Sequence, residues 1–101
     1  MTGINDKDSI VSALRAHRTE LQQGGFAHVA LFGSIARGEA SPASDIDLLV
    51  ELDRSRPVGL EFFSTVERVQ QILGRKVDIV TYPVKKPRLA RSIEQDRVNA
   101  F

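Results

Sequence analysis

The stretch Asp45-Ile46-Asp47-Leu48-Leu49-Val50-Glu51-Leu52 opens with acidic and apolar residues in alternation and then turns mostly apolar. Side chains on a strand alternate between its two faces. The pattern predicts a strand over 45–52 in which Asp45 and Asp47 project from one face, about 7 Å apart. Ile46, Leu48 and Val50 then point to the other face and into a core. Residues 76–81, Lys76-Val77-Asp78-Ile79-Val80-Thr81, repeat the theme: β-branched residues surround one acid. If the two strands are neighbours, Asp78 joins the aspartate pair on one face.

Outward from these strands the chain reads as alternating helices and strands. Ile10, Val11, Leu14 and Leu21 recur at helical spacing and predict an amphipathic helix over about 6–23, with Asn5 as N-cap and Gly24-Gly25 as stop. Phe26 to Phe32 is a short apolar strand ending at Gly33-Ser34. Residues 35–39 suggest a helical turn, and 40–44, rich in Ser with one Pro, a loop. Leu60, Phe63, Val66, Val69, Ile72 and Leu73 predict a second amphipathic helix closed by Gly74. After Pro87, residues 88–100 read as a last helix with Leu89, Ile93 and Val98 turned inward. The expected fold is α/β (α+β): a small mixed sheet with helices packed mainly on one face.

The chain has 101 residues, 42% hydrophobic and 27% charged, so one domain over 1–101 with one core is expected. It has no cysteine, which excludes disulfides and thiolate metal sites and fits a reducing compartment. The first eight residues lack a basic region followed by an apolar run, so no secretory signal is expected. The apolar run 26–32 is far too short to span a bilayer. A cytoplasmic protein without membrane contact is the expectation. The net charge of +1 points to no polyanion, and direct nucleic-acid binding is not expected. The charges are nonetheless unevenly placed. Residues 39–53 carry five acids and no Lys or Arg, whereas 84–101 carry Lys85, Lys86, Arg88, Arg91 and Arg97 against Glu94 and Asp96.

Taken singly, Asp45 reads as a cap on the strand entrance, and Asp47 and Asp78 as solvated residues. Taken together, acids inside two otherwise apolar strands run against propensity and suggest a site for a hard divalent cation. Facing carboxylates repel and resist ionisation. Magnesium takes such oxygens and fills its shell with waters and phosphate oxygens. Two such ions, with four positive charges against three aspartates, would leave a surplus that favours a triphosphate. Gly33 lets the backbone approach a phosphate, and Ser34 offers a hydroxyl and an N–H. Arg37 and Gly38 continue the loop. A Gly-Ser pair alone is also what an ordinary turn contains.

The string Leu31-Phe32-Gly33-Ser34-Ile35-Ala36-Arg37-Gly38-Glu39-Ala40-Ser41-Pro42-Ala43-Ser44-Asp45-Ile46-Asp47-Leu48-Leu49-Val50 resembles the signature of the DNA polymerase β-like nucleotidyltransferase superfamily. Gly33-Ser34, ten residues, then Asp45-Ile46-Asp47 is its spacing. The likeness is to the minimal nucleotidyltransferases, many of which are antitoxins paired with a helical HEPN-family RNase toxin. It covers nearly the whole chain and is looser after Pro87. The resemblance implies a polymerase-β-like fold, with two Mg²⁺ ions on Asp45 and Asp47. Asp78 would complete one metal site and help deprotonate the acceptor. Gly33, Ser34 and Arg37 would bind the nucleotide, with ATP as substrate. It further implies transfer of AMP to a tyrosine of the toxin with release of pyrophosphate. Two other functions fit the same residues: a non-catalytic antitoxin that neutralises its partner by binding, and a nucleotidyltransferase acting on a small molecule. The second is weakened by the short chain, which leaves no room for an acceptor-holding domain.

Other residues have ordinary readings. His17 is expected on a solvated helix face and His28 partly buried in its strand. Phe62 and Phe63 read as core and rim, and Tyr82 as either a cap on the core or a nucleotide contact. Five Phe and one Tyr are more than a small sheet covers, so a homo- or hetero-oligomer contact is expected, with Phe62 and Phe101 as candidates.

Overall fold

The computed structural model of the chain describes residues 6–39, 44–57 and 59–101. Helices α1 (Lys7–Ala16) and α2 (Arg18–Gln23) lead into strand β1 (Phe26–Phe32). Strand β2 (Ile46–Leu52), helix α3 (Leu60–Leu73), strand β3 (Val77–Thr81), helix α4 (Pro87–Asp96) and strand β4 (Val98–Asn99) follow. The sheet order is β3-β2-β1-β4. Strand β1 is antiparallel to both β2 and β4, and β2 is parallel to β3, so the sheet is mixed as expected. A parallel pair needs a long crossover connection, and α3 supplies it. Among the described residues no helix is long and apolar enough to cross a membrane.

The single helix expected over 6–23 is two helices. The break falls at His17, whose φ of −106° and ψ of 17° leave the helical region. Its amide bonds to the Leu14 carbonyl, and its ring Nδ1 lies 2.9 Å from the Ala13 carbonyl oxygen. The buried face is not lost, because Ile10, Val11, Leu14 and Leu21 all still reach the core. The N-cap is Asp6, whose side chain accepts from the Ser9 amide at 3.1 Å. Asn5, expected there, lies outside the described residues, as does most of the loop at 40–44.

Two cores sandwich the sheet. The larger gathers Ile10, Leu14 and Leu21 from the first helices and Val69 and Leu73 from α3. These meet Val29, Leu31, Ile46, Leu48, Val50 and Val77 from the strands. The smaller lies on the opposite face, where Ile93 of α4 packs on Ala30, Phe32 and Leu49. Helices thus lie mainly on one face, and α4 covers part of the other. This explains why Leu49, at an aspartate-side position of β2, is apolar and buried.

Two further expectations are corrected. Residues 88–100 are not one helix: α4 ends at Asp96, and β4 then pairs with β1 through Ala30–Asn99 and Leu31–Val98. Arg15 fixes that short strand by donating to the carbonyls of Ala100, at 2.7 Å, and Asn99, at 3.1 Å. In α3 the apolar phase slips at the first turn. Thr65, Val69 and Leu73 are buried, while Leu60 is 86% and Phe63 69% exposed. Phe62 instead turns inward and packs against Phe26, with ring centroids 6.0 Å apart. Of the two aromatic residues expected at an oligomer contact, Phe62 and Phe101 are both half-buried against the main core.

Candidate active site

The site is built on the sheet end where β1 finishes and β2 begins. In the β1–β2 and β2–β3 registers, Phe32 is opposite Asp47, and Asp47 is opposite Asp78. Leu49, two residues on from Asp47, belongs to the smaller core, and Val80, two on from Asp78, packs against it. Strand alternation therefore places both aspartates on the α4 face. Asp45 stands one residue before β2 and is exposed, Asp47 is half-buried and Asp78 is exposed. The entry to β2 is held from the β3 side: the Arg75 guanidinium donates to the Ser44 carbonyl, and the Ile46 amide to the Lys76 carbonyl at 3.1 Å.

The electrostatics of this arrangement fall on Asp47. Partial burial pushes its carboxyl above the ordinary aspartate value, and the charges of Asp78 and then Asp45 push it further the same way. Arg37 pulls against them. A half-buried acid held between two others is an unfavourable state that a cation would relieve.

Gly33 is shaped by the same carboxylate. Its φ is +83°, and a Cβ there would collide with the Asp47 carboxylate, lying 3.1 Å from Cγ and closer still to Oδ2. The glycine is thus required by an aspartate. No helix follows Ser34. Instead the chain makes successive hydrogen-bonded turns: Arg37 N to Gly33 O at 3.1 Å, Gly38 N to Ile35 O at 3.0 Å and Glu39 N to Ser34 O at 2.9 Å. Ile35 and Ala36 are buried in the main core and pin this loop to the sheet. Ser34 is half-buried beside Gly33.

Arg37, expected at the nucleotide, is gripped by two carboxylates. Its Nε donates to Glu39 Oε1 at 2.8 Å and its Nη1 to Asp96 Oδ2 at 2.6 Å. Sequence reading missed Glu39, Asp96 and Arg75 as parts of this neighbourhood. Glu39 was visible only as one acid of an acidic stretch, and nothing local marked the other two. His28, expected partly buried, is exposed and stands opposite Glu51. Tyr82 is exposed, as are Lys85, Lys86, Arg88 and Arg91.

Asp47 and Asp78 share a face, and Asp45 is near enough for its charge to act on Asp47; among the described residues no three Asp, Glu or His side chains surround a single metal position. The donor set still fits hard divalent cations. It is all carboxylate, its members repel one another, and it lies beside a loop that can carry phosphate oxygens to complete a magnesium shell.

Comparison with known proteins shows the family. The nucleotidyltransferase domain profile matches residues 14–99. Protein adenylyltransferase MntA of Thermococcus cleftensis is 35% identical over 92 residues, covering 90% of this chain and 92% of that protein. A structure solved for a candidate minimal nucleotidyltransferase is 34% identical with a TM-score of 0.66, over 87% of this chain and 93% of that one. A complex of tri-AMPylated Shewanella oneidensis HEPN toxin with MNT antitoxin shares the fold at TM-score 0.60 and 15% identity, over 90% of this chain and 71% of that one. With Asp47 of β2 and Asp78 of β3 on one sheet face and Gly33 against Asp47, the chain belongs to the nucleotidyltransferase domain family, as a minimal nucleotidyltransferase of the polymerase-β-like fold.

Proposed function

We propose that this nucleotidyltransferase moves AMP from ATP onto a tyrosine hydroxyl of a HEPN-family RNase toxin and thereby acts as its antitoxin. The observation that carries the reading is the placement of Asp47 opposite Asp78, with Gly33 packed on the Asp47 carboxylate. The adenylyltransferase relative supports the reaction class, and the toxin complex of the same fold supports the partner.

In this reading Asp45, Asp47 and Asp78 hold two Mg²⁺ ions. When bound, such a pair neutralises phosphate charge and steadies the attacking and leaving oxygens of an in-line displacement. Gly33 and Ser34 hold the β- and γ-phosphates through backbone N–H groups and the Ser34 hydroxyl, and Arg37 adds a cation beside them. Asp78 accepts the proton of the tyrosine hydroxyl. The tyrosine oxygen then bonds to the α-phosphorus, the bond from that phosphorus to the bridging oxygen breaks, and pyrophosphate leaves with the electron pair. The fixed dipoles of the loop need no rearrangement at that moment.

The test is incubation with α-labelled ATP, Mg²⁺ and the purified toxin. Label on the toxin that disappears with EDTA is expected. Toxin that takes up no label, or label uptake indifferent to EDTA, contradicts the proposal.

A further inference from the structure

The link between Arg37 and Asp96 joins two parts of the chain 59 residues apart. The Arg37 end is pinned to the main core by Ile35 and Ala36, and the elements leading to both ends adjoin the smaller core. Phe32 precedes the Gly33 loop and Ile93 lies three residues before Asp96, and the two pack in one cluster with Ala30 and Leu49. The Arg37 side chain is 41% exposed, whereas that of Asp96 is only 11% exposed. The carboxylate thus lies underneath and the guanidinium on top.

Asp96 is also the last residue of α4, where the helix carries partial negative charge and a carboxylate is disfavoured. The last turn of α4 has no basic residue of its own. An acid there without Arg37 would be an almost buried, uncompensated charge. The pair is therefore expected to persist when nucleotide arrives. The two bonds use Nε and Nη1 of the guanidinium and leave the Nη2 hydrogens for a third anion.

We infer that Asp96 is a positioning residue for the nucleotide: it holds the Arg37 guanidinium from beneath, at the Asp47 end of the sheet, so that the Nη2 hydrogens meet the triphosphate. This rests on the nucleotide reading of the Gly33–Arg37 loop. Asp96 makes no contact with substrate in this account. It removes the need to order a long side chain at the moment of binding. It also ties α4 to the nucleotide loop.

The test is calorimetric titration of ATP with Mg²⁺ into the whole chain, paired with steady-state kinetics. Asp96→Asn should weaken ATP binding on the order of tenfold, the low end of what removing an orienting partner costs, and raise KM with kcat near the wild-type value. Asp96→Glu should recover part of the affinity. In an Arg37→Gln background, Asp96→Asn should add nothing, which a merely structural role would not produce. If Asp96→Asn does not fold, Asp96→Glu decides, with weaker binding expected in the wild-type background and no effect beside Arg37→Gln. Unchanged or tighter ATP binding by the Asp96 variants overturns the inference alone, and so does an equal loss in both backgrounds. A wild-type chain that binds no ATP with Mg²⁺ overturns the nucleotide reading and the inference with it.

Discussion

Asp47 and Asp78 are register partners across the parallel strands β2 and β3, so two carboxylates of like charge lie side by side on one sheet face. Asp47 is the more buried, and its carboxyl is raised above the ordinary aspartate value of 3.8 by burial first and then by Asp78 and Asp45. A carboxyl raised in the folded state binds its proton more tightly there than in the unfolded chain. Asp47 therefore costs no stability below the unfolded value. The cost grows as pH rises from that value through the raised one, and above it is fully present. Asp47→Asn should accordingly be more stable than wild type at neutral pH without added metal, and the gain should vanish by about pH 3. Thermal unfolding across a pH series checks this. A gain that does not change with pH, or a loss at neutral pH, would show that Asp47 is not destabilised by its neighbours.

In the proposed two-metal reading, the same repulsion couples folding to divalent cations. Mg²⁺ or Mn²⁺ should raise the unfolding temperature of the wild type, and more so with ATP present, because phosphate oxygens complete the shell. Asp45→Asn with Asp47→Asn should lose most of that response. Scanning fluorimetry with and without EDTA reads it, and equal metal stabilisation of both proteins would place the cations elsewhere.

Gly33→Ala tests the packing of the loop on Asp47. The substitution meets both a positive φ and a collision with the carboxylate. It should cost about 1–3 kcal/mol and weaken nucleotide binding by displacing Asp47. Denaturant unfolding and ATP titration check the two halves. A fully stable variant with normal affinity would mean that the loop does not need the glycine.

Leu48 and Phe63 test the two sides of the apolar pattern. Leu48 is fully buried, so Leu48→Ala should cost roughly 2–5 kcal/mol. Phe63 is 69% exposed, so Phe63→Ser should stay within about 0.5 kcal/mol of wild type. Urea unfolding of both is sufficient. The reverse ranking would put the helix α3 and strand β2 faces out of phase.

What the sequence made legible is what short-range patterns encode. The period-2 alternation of 45–52 and 76–81 placed Asp47 and Asp78 on one face and Ile46 and Leu48 in the core, as observed. The glycine at 74 closed α3 where expected, with a φ of 66°. What was not legible depends on contacts between distant residues. Strand β4 has two residues and exists because β1 offers an edge and Arg15 holds the adjoining carbonyls. The smaller core forms only when α4 folds back over Leu49, which no local spacing states. The resemblance implies a nucleotide contact for Arg37, but its partner Asp96 is far along the chain and no local pattern marks the pair. Gly33 was read for phosphate access, whereas the nearest atoms to its missing side chain belong to Asp47.

The central claim, that neutralisation runs through nucleotide transfer by the aspartate site, is tested most directly by the intact mass of the HEPN partner after co-production. The comparison is between the wild-type chain and the double variant Asp45→Asn, Asp47→Asn. The two substitutions remove two charges and almost no volume, so the fold and any docking surface should survive while metal and triphosphate binding are lost. The account predicts a partner heavier by one or more AMP units and silenced with the wild type. With the variant it predicts a partner still bound but unmodified and still toxic. An unmodified partner silenced equally by both proteins would contradict it and show that binding alone neutralises.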